Sequence, residues 1–182
     1  MTDTLTKVSF LNGDRISLRE VQTSDVTDAY YQWMNSPEIN RYLESRFYPH
    51  SKEDLRAFVS HIADDKNHVF LAMIHKYSHQ HIGNIKLGPI NWIHRHANIG
   101  LLIGEKDFWG QGLATEAIQL VVQYAFDTLN LHKLMAGCYA DNSGSARAFQ
   151  KAGFEIEGVR KSHFYHEGSF SDEILLGLVQ TP

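Results

Sequence analysis

The chain has 182 residues, 43% hydrophobic and 21% charged, with a formal charge of −4 at pH 7. That length predicts one domain with a real core, spanning 1–182 with its structured part at about 15–179. The acidic balance argues against a general nucleic-acid or membrane-surface binder. One cysteine, Cys138, excludes an internal disulfide and suits a reducing, cytoplasmic location. Met1 to Phe10 is polar and lacks the apolar core of a secretion signal, and no apolar run approaches the roughly 18 residues of a membrane span. Eleven histidines are many, yet no His-x-x-x-His or Cys-x-x-Cys spacing points to a metal, and none is expected.

Arg15 to Arg19 alternates polar and apolar residues and predicts a first strand. Ser24-Asp25 offers a cap for a helix through Tyr30 and Trp33 that ends before Pro37. Asn35 to Pro49 reads as a loop or broken helix carrying Arg41, Tyr42, Arg46, Phe47 and Tyr48. Ser51-x-x-Asp54 has the form of a capping box opening a helix through Leu55, Phe58, Val59 and Ile62. Strands follow at His68–His75, Ile82–Trp92 and Ala97–Ile103, with short turns at Lys76–His81 and Ile93–His96, which predicts an antiparallel meander. After Gly112, Leu113, Ala117, Leu120, Val121 and Tyr124 fall on one helical face. A strand is predicted at Lys133–Ala140. Asn142 then caps a short helix through Ala146 and Phe149, stopped at Gly153. The tail, Phe154–Lys161 and Phe164–Leu178, reads as two strands turning at Glu167-Gly168. Together these give an α+β layout with one mixed sheet.

The most informative stretch is Trp109-Gly110-Gln111-Gly112-Leu113-Ala114-Thr115. A strand, a glycine-bearing turn and a helix start make an anion cradle, because free backbone N–H groups and the helix dipole both favour negative charge. Only residues without Cβ let a pyrophosphate come that close. No Gly-Lys-Ser/Thr follows, and the third glycine of a dinucleotide fingerprint is missing. ATP and dinucleotides are therefore poor candidates.

This element order and these motifs resemble the GNAT superfamily of acetyl-CoA-dependent N-acetyltransferases over nearly the whole chain. The nearest branch holds the ribosomal-protein N-terminal, spermidine and nucleotide-amino-sugar acetyltransferases. Three stretches carry the resemblance: Trp109–Ala117; Asn142-Ser-Gly-Ser145 with Phe149, Lys151 and Gly153-Phe154; and Arg15–Arg19 with Trp33-Met-Asn35 and Pro37-Glu38. The resemblance implies a single-domain GNAT fold, with a central, mostly antiparallel twisted sheet flanked by helices. It implies acetyl-CoA as co-substrate. The backbone of Leu102, Ile103 and Gly104 would pair with the pantetheine arm and hold the thioester oxygen as negative charge develops. Gly110, Gln111, Gly112, Leu113, Ala114 and Thr115 would bind the pyrophosphate. Asn142 would bond the arm, besides capping its helix, and Phe149 would pack near the thiol. Dimers are frequent in that branch, and no segment here declares an interface.

Three positions depart from the pattern. Where the family's motif usually opens with Gln or Arg, this chain has Trp109, and this branch often shows an aromatic there. Many relatives place a tyrosine acid where this chain has Phe149, whose ring cannot donate a proton. Ser145, one turn earlier, is the nearest substitute. Cys138, on the preceding strand, reads as a buried and inert thiol. The family's strand glutamate corresponds to Asn98, which cannot take a proton, leaving His96 or water as base. A lysine-like amine is neutral roughly once in 2,500 molecules at pH 7, and an α-amine roughly once in seven. A general base contributes about 10² to 10⁴, so the missing carboxylate favours a low-pKa amine such as an amino sugar or a peptide N-terminus. Arg41 and Arg46 suit phosphates and the neighbouring aromatic faces suit a base, whereas a polyamine would want carboxylates, and the loop offers only Glu38 and Glu44. The expected acceptor is a small-molecule amine, with no nucleic acid or membrane partner. A nucleotide-linked amino sugar comes first, then a polyamine or a protein N-terminus. A non-catalytic acyl-CoA sensor is the rival of a different class.

Overall fold

The computed structural model describes residues 8–181. Most of the segment searched for a secretion signal, Met1–Lys7, lies outside the described residues. The elements run β1 (Leu11–Asn12), β2 (Ile16–Glu20), α1 (Asp28–Asn35), α2 (Pro37–Asn40), α3 (Lys52–Asp64), β3 (Val69–His75), β4 (His81–Asn91), β5 (His96–Ile103), α4 (Leu113–Asp127), β6 (Lys133–Tyr139), α5 (Ser143–Lys151), β7 (Glu155–His166) and β8 (Ser169–Val179). All strands join one sheet in the order β1-β2-β3-β4-β5-β6-β8-β7. Every pairing is antiparallel except β5 with β6. The mixed α+β sheet and the β3-β4-β5 meander agree with the sequence reading.

Local chemistry explains most boundaries. Ser51 and Asp54 do form the capping box of α3. Thr27, not Ser24-Asp25, caps α1, its side chain accepting from the Tyr30 amide. Asp25 is diverted to a buried, two-pronged ion pair with Arg19 at 2.7 and 2.8 Å, a geometry that arginine's planar fork favours. The Asn35–Pro49 stretch is a broken helix, holding α2 and a 3₁₀ turn at Glu44–Phe47. The last strands turn at Glu167-Gly168, both at positive φ, as expected; Phe164–His166 belong to the first of them, because they pair with Ser169–Ser171.

The core lies on both sheet faces. One face carries Ala97, Ile99, Leu134, Ala136 and Cys138 against Leu113, Ala117, Ile118 and Val121 of α4 and Ala146 and Phe149 of α5. The other packs Ala72 with Tyr30 and Trp33 of α1 and Leu55 and Val59 of α3. Each fully buried large apolar side chain contributes about 1.5–3 kcal/mol, so the helices are pinned mainly by these two stripes.

Candidate active site

β5 and β6 pair only at His96–Lys133, Ala97–Leu134 and Asn98–Met135. Beyond Asn98 each strand keeps its outer partner, β5 with β4 as far as Ile103 and β6 with β8 as far as Tyr139. The two therefore separate, and the inner edge of β5 faces a gap. Backbone groups alternate along a strand. The Arg95 carbonyl accepts from His132 and Lys133 on the β6 side, while the Gly104 N–H donates to Ile82 beside β4, at 2.9 Å. By that alternation Leu101 and Ile103 turn their N–H groups into the gap, and Leu102 and Gly104 turn theirs away. The three-residue expectation is thus corrected: of Leu102, Ile103 and Gly104, only Ile103 presents an amide to the gap, and Leu101 joins it. Trp33 packs on Gly104, where a Cβ would stand 2.0 Å from the indole, and its Nε1 donates to Glu105 at 3.0 Å. These contacts fix the end of β5 against α1.

The glycine turn follows. Gly110 and Gly112 have φ of 73° and 80°, values that side-chain-bearing residues rarely adopt. Gly112 is the N-cap of α4 and supplies no side-chain cap, so the first helical N–H groups, from Leu113 to Thr115, stay available. Trp109 donates from Nε1 to the Ile103 carbonyl at 2.8 Å, tying the turn to β5. Gln111 donates from its side chain to Asp107. Arg15 bonds the Gln111 carbonyl at 2.7 Å and Glu116 at 3.1 Å. Glu116 also accepts from the Arg15 and Ile16 amides at 2.8 and 3.2 Å. Sequence reasoning missed this clamp because its partners stand about a hundred residues apart.

On α5, the Asn142 side-chain oxygen accepts from the Ser145 amide at 3.2 Å, which is helix capping. The Ser145 hydroxyl makes no hydrogen bond among the described residues. Phe149 is buried edge-on against Phe154. Cys138 is buried on the same side, its thiol pushed up to about 11 by burial and then by the Glu173 charge, as an inert thiol should be. The base candidates fare differently. His96 begins β5, five residues and about 16 Å from Leu101 at 3.3 Å per residue. Its Nδ1 is buried without a hydrogen-bond partner among the described residues, and the ring stacks on His94. Asn98 is exposed on the α1 face of β5.

A cavity of about 470 Å³ opens on that face, lined by Asn40, Arg41, Arg46, Phe47, Tyr48 and His166 among others. Arg46 is committed elsewhere: its guanidinium bonds the Leu43 and Tyr165 carbonyls and the Tyr139 hydroxyl, each at 2.7–2.8 Å. Tyr139 ends β6 and meets the cavity through two residues that line it, Arg46 and His166. Its ring contacts Tyr42, Phe164 and His166, and its hydroxyl donates to Glu44. Burial, then that carboxylate, pushes the phenol up to about 12. Among the described residues no helix is long and apolar enough to cross a membrane, and no group of three or more His, Cys, Asp and Glu could hold a metal.

Burial alone would push the Glu116 carboxyl up. The N–H groups of Arg15 and Ile16, with the Arg15 guanidinium, more than reverse this and leave it below the ordinary glutamate value. A depressed carboxyl contributes stability above its unfolded value, near 4.3, and loses it as pH falls through the folded one. Urea titrations from pH 6 downward should therefore show a smaller acid-side loss for Glu116→Gln than for wild type; equal slopes would contradict the clamp.

The model of the acetyltransferase (GNAT) domain family matches residues 15–155. Spermidine N(1)-acetyltransferase of Escherichia coli K12 is 27% identical over 165 residues, covering 91% of this chain and 86% of the relative. The solved spermidine N-acetyltransferase of Vibrio cholerae, in complex with CoA and spermine, superposes with a TM-score of 0.83 at 24% identity, covering 92% of this chain and 97% of that one. The microcin C7 self-immunity acetyltransferase MccE, solved with acetyl-CoA and AMP, gives a TM-score of 0.80 at 22% identity over 92% and 94%. Such structural likenesses show a shared fold, and the family match supplies the activity. The chain belongs to the GNAT acetyltransferases and is an acetyl-CoA-dependent N-acetyltransferase.

Proposed function

We propose that the acetyl group passes directly from acetyl-CoA to the primary amine of a phosphate-bearing small molecule, with a nucleotide-linked amino sugar first in line. The carrying observation is Arg41. It lines the cavity, its guanidinium lies over the Tyr42 ring at 4.7 Å, and among the described residues it has no hydrogen-bond or ion-pair partner. A free guanidinium beside the exposed rings of Phe47 and Tyr48 suits a phosphate next to a base. The similar MccE structure holds AMP, a base with a phosphate, which supports this reading of the cavity. The carboxylates that a polyamine needs are largely engaged: Glu38 pairs with Lys106 at 2.7 Å, and Glu44 receives the Tyr139 hydroxyl. A polyamine remains the second reading, favoured by the spermidine-acetylating relatives.

For the co-substrate, the amides of Leu101 and Ile103 would hold the arm and the thioester oxygen. Gly110 through Thr115 would take the pyrophosphate. Asn142, its oxygen used in capping, would offer its Nδ2. The unbonded Ser145 hydroxyl would protonate the departing thiolate, a role Phe149 cannot fill.

CoA release is to be measured against a UDP-linked amino sugar, spermidine and an alanine-starting peptide. The amino sugar should react fastest, and Arg41→Ala should raise its KM about tenfold, the cost of one charge-assisted bond. A higher rate with spermidine would select the second reading. Silence with all three, alongside tight acetyl-CoA binding, would favour the sensor. Ser145→Ala should cut kcat at least about tenfold; a loss below about threefold would remove Ser145 as the acid.

A further inference from the structure

Glu173 of β8 is a buried carboxylate, 7% exposed, on the α1 face of the sheet. Its Oε2 is held by the Arg160 Nη1 at 2.8 Å and lies 3.3 Å from the His163 Nε2. Arg160 and His163 would ordinarily point to opposite faces of β7. A register shift between Arg160 and Phe164, with Ser162 at φ 50°, turns both toward Glu173, the re-aiming that bulges provide. The other oxygen, Oε1, has no hydrogen bond among the described residues. It lies over Gly137 of β6, where a Cβ would stand only 2.3 Å from it. The absence of a side chain at Gly137 is thus what lets the carboxylate reach across β6. Gly137 is two residues past Met135, the last residue of β6 to pair with β5, so Oε1 sits where the gap opens. Across the gap, Gly100 of β5 belongs to the same face, and a Cβ there would meet nothing within 4 Å.

We propose that Glu173 Oε1 receives the proton of the acceptor ammonium, replacing the carboxylate that Asn98 lacks, with Arg160 and His163 as positioning residues. The proposal rests on acetyl transfer to an amine, whichever amine that is. One ammonium proton goes to Oε1, and the freed lone pair attacks the thioester carbon. The N–C bond forms and the C–S bond breaks; its electron pair leaves on sulfur, which takes a proton to become the thiol. The remaining proton passes to solvent, and Glu173 releases its own. The groups facing Glu173 are Arg160 and His163 from β7 and Tyr139 from β6, and the Cys138 thiol of β6 is near enough to feel its charge. Lys161 and Asp172 are paired with each other at 2.7 Å.

The test uses two small acceptors at high concentration: propylamine, protonated at neutral pH, and hydroxylamine, mostly neutral there. Glu173→Gln should lower kcat/KM for propylamine about a hundredfold, the lower end of a general base's contribution, and change hydroxylamine less than about threefold. Gly137→Ala keeps the carboxylate but displaces its flexible end, and should show the same split. Both variants should bind acetyl-CoA as wild type does, which separates this loss from misfolding. In the free protein, the ¹³C resonance of the Glu173 carboxyl should move on adding propylammonium. Retention of more than about a third of the propylamine rate in Glu173→Gln, equal losses with both acceptors, or a static carboxyl resonance would overturn the assignment.

Discussion

A strand inside a sheet is not free to leave its backbone unpaired, because each buried and unsatisfied N–H or C=O costs about 1–3 kcal/mol. Here the inner edge of β5 beyond Asn98 has no strand beside it. The divergence is held open from outside: β4, Ile82 and Trp33 secure the end of β5, while β8 holds β6 along its whole length. The divergence thus leaves the amides of Leu101 and Ile103 turned into the gap. An extended amide-bearing arm such as pantetheine has the chemistry to pair with them, and the acetyl-CoA dependence of the family agrees with it.

The rest of the site is arranged around this gap. Trp109 bonds the Ile103 carbonyl and so starts the glycine turn where β5 ends. The Arg15–Glu116 clamp ties that turn to β2. On the far bank, Tyr139 ends β6 with its ring against Tyr42 and His166, and His166 lines the Arg41 cavity. The proposed roles divide accordingly, with backbone donors along β5 assigned to the acyl donor and the Arg41 cavity assigned to the acceptor.

Much of this was legible in the sequence because it depends on short-range rules. Gly110 and Gly112 announce their positive φ, Ser51 and Asp54 their box, and Asn142 its cap. The meander follows from alternation and turn spacing. What could not be read depends on partners distant in the chain. Asp25 reads as a cap residue, yet Arg19 claims it for a buried ion pair. Arg46 reads as a phosphate ligand, yet Tyr139 and two carbonyls consume its fork. Which amides of β5 face the gap needs a phase that only the Gly104–Ile82 bond reveals. Glu173 is one acidic residue on a terminal strand until Gly137, 36 positions earlier, is seen to make room for it.

The account stands on the amides of Leu101 and Ile103 being the docking edge for acetyl-CoA. Amide hydrogen exchange, followed residue by residue with and without acetyl-CoA, tests this directly. Exchange at Leu101 and Ile103 should slow markedly on binding, while Leu102 and Gly104, already turned toward β4, should stay as they were. Unchanged exchange at Leu101 and Ile103 in the presence of bound acetyl-CoA would contradict the account.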